Sequence, residues 1–473
     1  MRGHAIIWFR RDLRLHDHPA LTAALASAEM VTPLFVLDEL LLTRGRWPSP
    51  NRVAFMLASV QALDTALRRR GSRLHVVRGR PADVVPALAA AWDVGAVHVS
   101  RDYSPYARGR DGRIRSALAA LGVSFHEHPG TLVHEPEDVY TDAGHPYRVF
   151  TPFARRWAAL PRRSVLGAPS RLPTPLELPQ QPLPNVEGLT EEPANPRLLR
   201  AGEAAARARL RRWCAGRVDR YRDLRDAPGE DGTSRLSQDL RWGLLSPLEV
   251  VVRCAGSTAG REAFVREIAW REFYYHVLWH FPHVTRAPFR PELSALTYEN
   301  DPRVIATWQD GRTGYPIVDA AMRQLASDGW MHNRARMIVA SFLTKHLLVD
   351  WRIGEAFFMR HLVDGDVANN NGGWQWAAST GSDAQPYFRI FNPVAQGEKF
   401  DPHGAYVRRW LPELRRVPDR CVHAPWRMTI DEQRAAGCLI GRDYPAPIID
   451  HAEARRRALA AYGAAGAART RRA

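Results

Sequence analysis

The first 130 residues alternate two kinds of hydrophobic pattern. Short apolar, β-rich runs fall at residues 5–9 (AIIWF), 31–37 (VTPLFVL), 74–77 and 96–100. Between them, around 20–28, 52–70, 82–91 and 108–121, apolar residues recur at three- and four-residue spacing. Side chains repeat every second position along a strand and about every 3.6 positions along a helix, so the text reads as strands separated by helices. That order predicts an α/β domain built on a doubly wound, mostly parallel sheet, with ligands at the carboxyl ends of its strands. No GxGxxG follows the first apolar run, which disfavours an ordinary dinucleotide site there.

The pattern then changes. Residues 161–200 hold nine prolines, as in RLPTPLELPQQPLPN. Proline fixes φ and removes a donor, so this stretch predicts an extended connector rather than a long helix or inner strand. From about residue 200 helical spacing dominates, clearest at 320–326 and 335–348, and this part carries 11 of the 15 tryptophans. The expected organisation is an α/β domain over 1–130, a connector over 131–199 and a larger all-α domain over 200–473, without internal repeats.

Charge adds a partner class. Sixty-six basic against 50 acidic residues leave +16, and the basic residues are arginine apart from Lys345 and Lys399. Such a surface attracts polyanions, nucleic acid among them, because basic groups displace counterions condensed on phosphates. GC-rich coding alone also enriches arginine. The four cysteines (Cys214, Cys254, Cys421, Cys438) have no CxxC or metal-ligand spacing, so free thiols in a reducing cytoplasm are expected, and no metal site. The N-terminal apolar run is too short for a secretory signal, and no stretch reaches the roughly 20 apolar residues of a membrane span.

Four stretches carry candidate chemistry. In DGTSRLSQDLRWGLLSP (231–247), hydroxyls and a guanidinium cluster as a pyrophosphate would require, although an ordinary helix cap uses the same residues. In REIAWREFYYH (266–276), a helix puts Glu267, Trp270 and Tyr274 on one face, where a carboxylate can bond a base edge and an indole can stack on it; a plain amphipathic helix has the same spacing. DGWMHNRARM (328–337) places Asn333, Arg336 and Met337 at helical spacing, and an Arg336–Asp364 pair can hold a redox ring or serve as a structural salt bridge. In NNNGGWQWAAST (369–380), Asn and Gly favour a helix start or tight turn. If a helix follows, each residue advances about 100°, so Trp374 and Trp376 point nearly opposite ways while Asn370 and Trp374 share a side. Two core tryptophans after a turn would satisfy the same pattern.

Together these stretches resemble the DNA photolyase/cryptochrome family, most closely class I cyclobutane pyrimidine dimer photolyases. The likeness runs from WFRRDLRLHDHPAL to DYPAPIIDHAEAR and is densest in TGYPIVDAAMRQLASDGWMHNRARM and DGDVANNNGGWQWAASTGSDAQPYFRIFNPVAQGEKFD. It implies a folded FAD in the helical domain. It implies that blue light drives an electron from reduced FAD into a thymine dimer flipped out of DNA, splitting the cyclobutane ring; photolyases are among the base-flipping enzymes. By the same resemblance Tyr221, Thr233, Ser234, Arg235, Leu236, Ser237 and Arg271 hold the FAD phosphates and ribityl chain. Asn333, Arg336, Asp364, Gly365, Asp366 and Asn370 surround the flavin, Asn370 near N5. Glu267, Trp270, Asn333, Met337 and Trp376 line the dimer pocket, and Arg225 and Arg334 contact DNA phosphates. Photoreduction runs through Trp374 and Trp351; the family's third tryptophan falls on Tyr298, with Trp308 as another possible exit.

The antenna pocket is the other departure. Folate-binding relatives have Asn-Glu where this chain reads Tyr106-Ala107, and RDYSPYARGRDG resembles deazaflavin binders, so 8-hydroxy-5-deazaflavin is favoured over methenyltetrahydrofolate or FMN. A (6-4) photolyase would have histidines at Asn333 and Met337. A signalling cryptochrome is the competing function; those often carry long C-terminal extensions, whereas about ten residues, AAGAARTRRA, follow the matched segment here. A light-independent flavoprotein would leave the tryptophan series unexplained. The implied partner is single- or double-stranded DNA bearing pyrimidine dimers, acted on by a cytoplasmic monomer.

Overall fold

The computed structural model describes residues 3–42, 45–175 and 182–470. Residues 176–181 of the proline-rich segment and 471–473 of the C-terminal tail lie outside the described residues. The chain forms two compact units. One comprises Met1–Asp219, Ser234–Pro282 and Val363–Ala368; the other comprises Arg220–Thr233, His283–Leu362 and Asn369–Ala473.

In the first unit, strands β1 (His4–Phe9), β2 (Met30–Leu37), β3 (His75–Arg78), β4 (Ala96–Ser100) and β5 (Ser124–His128) form one parallel sheet in the order β3-β2-β1-β4-β5. This is the doubly wound, Rossmann-like arrangement that the alternation predicts. The longer helices between the strands are α1 (Pro19–Ser27), α2 (Pro50–Arg68), α3 (Pro81–Ala91) and α4 (Pro105–Ala120). Each begins with proline, whose fixed φ suits the first helical position and whose missing donor is not needed there. Ser49 and Ser104 cap α2 and α4 by accepting from Arg52 N at 3.4 Å and Ala107 N at 3.2 Å. Ile6, Trp8, Leu34, Val97, Val99 and Ile114 are among the buried residues of the sheet core. Full burial of an aliphatic side chain of this size contributes about 1.5–3 kcal/mol. β5 (SFHEH) pairs only with β4 and is largely exposed. It lacks an apolar run, so the hydrophobic pattern does not announce it.

The same unit contains helices α5 (Phe150–Ala159), α6 (Glu203–Cys214), α7 (Ser237–Arg241), α8 (Pro247–Cys254) and α9 (Ala259–His280). In the second unit, α10 (Pro316–Asp328) precedes α11 (Asn333–Ser341), which runs into a π-helical turn at Phe342–His346. The periodicity over 335–348 predicted one helix; it is this helix plus a wider turn. α12 (Trp351–His361), α13 (Val367–Ala377) and α14 (His451–Thr470) follow. Trp308, Trp351, Trp374 and Tyr406 lie in the core of this unit, each at most 2% exposed.

Candidate functional site

In the first unit, three consecutive residues after β1 tie down three different segments. Arg10 makes a two-point pair with Asp111 at 2.8 and 2.7 Å. Arg11 Nη2 meets Asp366 Oδ2 at 2.5 Å, and the Tyr275 hydroxyl donates to the same oxygen at 2.7 Å. Asp12 pairs with His18 at 3.0 Å, and the His18 charge and hydrogen bond outweigh burial to lower its pKa. Arg241 Nε donates to the Gly365 carbonyl at 2.8 Å. The buried loop 364–366 is thus held by two guanidiniums and a phenol.

These cations are not fully used within the protein. Nη1 of Arg241 and Nη2 of Arg271 are buried without a hydrogen-bond partner, although Arg271 Nη1 donates to Thr131 O at 3.2 Å. Burial, reinforced by the nearby Arg11 charge, lowers Arg241 to about 10, and burial with Arg241 close by lowers Arg52 to about 9. Buried guanidinium donors that lack partners call for an anion. The phosphates of FAD are such an anion, so this donor set fits the group the sequence implies. Arg241, Arg52 and Arg11 were not among the residues read from sequence; the charged text of RWGLL and FRRDL carried no spacing signal. Upstream of α7, Arg235 adopts a left-handed φ of 51°, an uncommon state for a non-glycine residue, and its carbonyl accepts from Gln238 Nε2 at 2.5 Å. Ser234 and Arg235 are half-buried, Leu236 is buried and Ser237 is exposed; Thr233, also half-buried, belongs to the other unit.

The expected helix over 266–276 lies within α9. Glu267, Trp270 and Tyr274 are half-buried on it. Trp270 stacks on Phe150, centroids 3.6 Å apart and planes 11° from parallel. The fully buried acid of α9 is Glu272, which accepts from Val133 N at 2.5 Å and from Trp157 Nε1 at 2.7 Å. Burial raises it to about 7 against those bonds. In α4 the Tyr106 hydroxyl donates to Asp38, and burial followed by that contact raises the Tyr106 pKa.

In the second unit, Tyr221 and Arg225 are half-buried on the segment preceding Thr233. On α11, Asn333 is exposed and its Nδ2 lies 3.8 Å from the half-buried Met337 Sδ. Arg334 pairs with Asp226 at 2.8 Å and lies over the Phe400 ring at 4.3 Å. Arg336 Nε donates to the Met331 carbonyl at 2.8 Å. Arg336 and Asp364 fall in different units.

The asparagine run is helical rather than a turn, lying in the first turns of α13. Its amides have named uses. Asn370 Nδ2 donates to Glu355 O at 3.0 Å, and Asn371 Nδ2 to Val284 O at 3.0 Å and Glu355 Oε1 at 2.9 Å. Gln375 Nε2 donates to Val284 O at 2.9 Å, and its Oε1 accepts from Phe289 N at 2.8 Å. Sequence reasoning missed Asn371 and Gln375; their spacing of four is the signal that could have found them. Trp374 is buried against Phe358 and Trp308, at centroid distances of 5.0 and 6.1 Å, whereas Trp376 is half-buried. A side chain on Gly354 of α12 would start 2.1 Å from the Trp374 ring, so the indole rests on bare backbone. Trp351 is fully buried and Tyr298 half-buried. Trp308 has no exposed surface and donates to Val339 O at 3.2 Å, so it offers no solvent-facing end to an electron path.

Residues 5–176 match the model "DNA photolyase", and 264–464 match "FAD binding domain of DNA photolyase". The deoxyribodipyrimidine photo-lyase of Streptomyces griseus is 44% identical over 456 residues, 96% of this chain and 98% of that protein. The chain belongs to the DNA photolyase/cryptochrome family. A solved class III photolyase from Agrobacterium tumefaciens superposes with a TM-score of 0.92 at 37% identity, covering 98% of each chain. A Synechocystis cryptochrome superposes with a TM-score of 0.90 at 30% identity, covering 97% of this chain and 99% of that one. Backbone likeness in this family therefore fixes neither subclass nor function, and the class I likeness of the motifs stands beside a class III neighbour. The 231–237 stretch lies between the two family matches. Among the described residues no helix is long and apolar enough to cross a membrane, and no group of three His, Cys, Asp or Glu is placed to hold a metal ion.

Proposed function

We propose that this chain is a deoxyribodipyrimidine photo-lyase that uses FAD and light to split cyclobutane pyrimidine dimers in DNA. The observation that carries the reading is near-full-length identity of 44% to a photo-lyase. The unpartnered buried nitrogens of Arg241 and Arg271 support the cofactor.

When bound, FAD supplies the light-driven electron. The chain's own residues bind, orient and shield. Arg241 and Arg271, with Thr233, Ser234, Arg235, Leu236, Ser237 and Tyr221, hold the phosphates and ribityl chain. Asp364, Gly365, Asp366, Asn333, Arg336 and Asn370 surround the ring. Arg11 and Tyr275 keep the 364–366 loop in place by fixing Asp366. Glu267 bonds a pyrimidine edge, Trp270 and Trp376 stack on the lesion, and Asn333 and Met337 complete the pocket. Phe150, stacked on Trp270, limits how that indole can turn. Arg225 and Arg334 meet phosphates, Arg334 by exchanging Asp226 for DNA. Trp374, Trp351 and Tyr298 carry electrons inward for photoreduction. In the sheet-bearing unit, the Tyr106–Asp38 pair belongs to the antenna pocket, for which 8-hydroxy-5-deazaflavin remains our choice.

Illuminating the reduced protein with an oligonucleotide containing one thymine dimer should restore thymine absorbance near 260 nm, and DNA affinity should fall steeply with salt. Light-dependent spectral change without repair would replace this reading with that of a signalling cryptochrome, which the Synechocystis likeness accommodates.

A further inference from the structure

Cys214 ends α6 and Cys254 ends α8. They are 40 residues apart in sequence, yet their Sγ atoms lie 3.2 Å apart. Cys254 has no exposed surface, while Cys214 is half-buried. Beside them, Arg261 Nη2 donates to the Cys214 carbonyl at 3.1 Å and Nε pairs with Asp219 at 2.7 Å. Neither cysteine belongs to the cofactor or DNA machinery argued above.

We propose that Cys214 and Cys254 form a peroxide-responsive dithiol, with Cys214 attacking first and Cys254 resolving. Three features set the pair apart from packed inert thiols: contact distance, unequal access and cationic surroundings. The two thiols are within hydrogen-bond distance, and this contact, helped by Arg261 and Arg253, lowers the Cys214 pKa despite burial. The same interaction and burial raise Cys254. The more accessible sulfur is therefore also the better thiolate.

The chemistry balances with hydrogen peroxide as oxidant. The Cys214 thiolate attacks one peroxide oxygen, an S–O bond forms, the O–O bond breaks, and hydroxide leaves to be protonated to water. Cys254 sulfur then attacks the Cys214 sulfenic acid; the S–S bond forms, the S–O bond breaks, and the oxygen leaves as water with the Cys254 proton. Two thiols and one peroxide give one disulfide and two waters. The product ties the C-terminal ends of α6 and α8. It also anchors the start of the 215–219 stretch, whose Asp219 is already held by Arg261 and Thr258.

The test treats the full chain with a small excess of hydrogen peroxide, alkylates it under denaturing conditions and maps peptides by mass spectrometry. The expected result is loss of two of the four alkylatable thiols and a linked Cys214–Cys254 peptide pair, both reversed by dithiothreitol. In Cys254→Ser, dimedone should trap a sulfenic acid on Cys214; in Cys214→Ser, Cys254 should stay unlabelled. Four thiols surviving treatment, oxidation beginning at Cys254, or Cys214 passing to sulfinic acid without the link would each overturn the proposal. If a serine variant melts well below the parent, the wild-type peptide map decides alone.

Discussion

Two neighbouring stretches are held by opposite means. The loop 364–366 is fixed by charge, through Arg11, Arg241 and the Tyr275 phenol. The helix that follows is fixed by neutral amides, with Asn370, Asn371 and Gln375 clasping carbonyls of Glu355 and Val284. A buried ion pair holds firmly only while both partners remain, because a stranded charge is costly in a low-dielectric interior. Amide donors carry no charge of their own, so removing one deletes hydrogen bonds rather than half of an ion pair.

Arg11→Ala should be the most damaging change. It removes the cation paired with the buried Asp366 carboxylate, which keeps the Tyr275 hydroxyl, and should cost about 3–5 kcal/mol in urea unfolding. Adding Asp366→Asn should recover part of that loss; strict additivity of the two changes would refute the pairing. The next effect is one of pH. Glu272 has a folded-state pKa of about 7 against an ordinary 4.5, so the folded form binds a proton more tightly than the unfolded chain. Its contribution is therefore fully present below the ordinary value and lost as pH rises through about 7. Relative to Glu272→Gln, the parent should lose up to about 3 kcal/mol across that window. Parallel pH profiles for the two proteins would count against it.

Asn371→Ala removes the bonds its amide donates to the Val284 carbonyl and the Glu355 carboxylate and the one it accepts from Gln375, and should cost about 1–3 kcal/mol in urea unfolding. A loss as large as that of Arg11→Ala would erase the distinction between the two regions. Trp374→Phe should disturb folding least, since phenyl fills much of the indole's place. It should abolish photoreduction of the oxidised protein while leaving repair by chemically reduced protein; loss of both activities would contradict the proposed separation of inward electron path and lesion pocket.

Strands β1 to β4 and helices α1 to α4 are legible in the sequence because local hydrophobic period and burial agree there. β5 is not, since an edge strand of Ser, Phe, His, Glu and His has no period to read. The asparagine run leaves helix start and tight turn both open, because Asn and Gly disfavour helix interiors locally; it is helical, with tertiary amide bonds to Val284 and Glu355. Residues with a family motif around them, such as Trp374 and Asn370, could be singled out. Arg241 and Arg52 could not, because their significance lies in contacts distant along the chain. The approach of Cys214 to Cys254 is of the same kind.

The corner after β1 has one last implication. Arg10, Arg11 and Asp12 are adjacent, yet each reaches a different destination: Asp111, Asp366 and His18. Changing one side chain cuts one tether. Inserting or deleting a single residue there would put every side chain in its neighbour's position and unfasten all three at once. Evolutionary gaps in alignments of close kin should therefore avoid this corner, even where its individual letters vary.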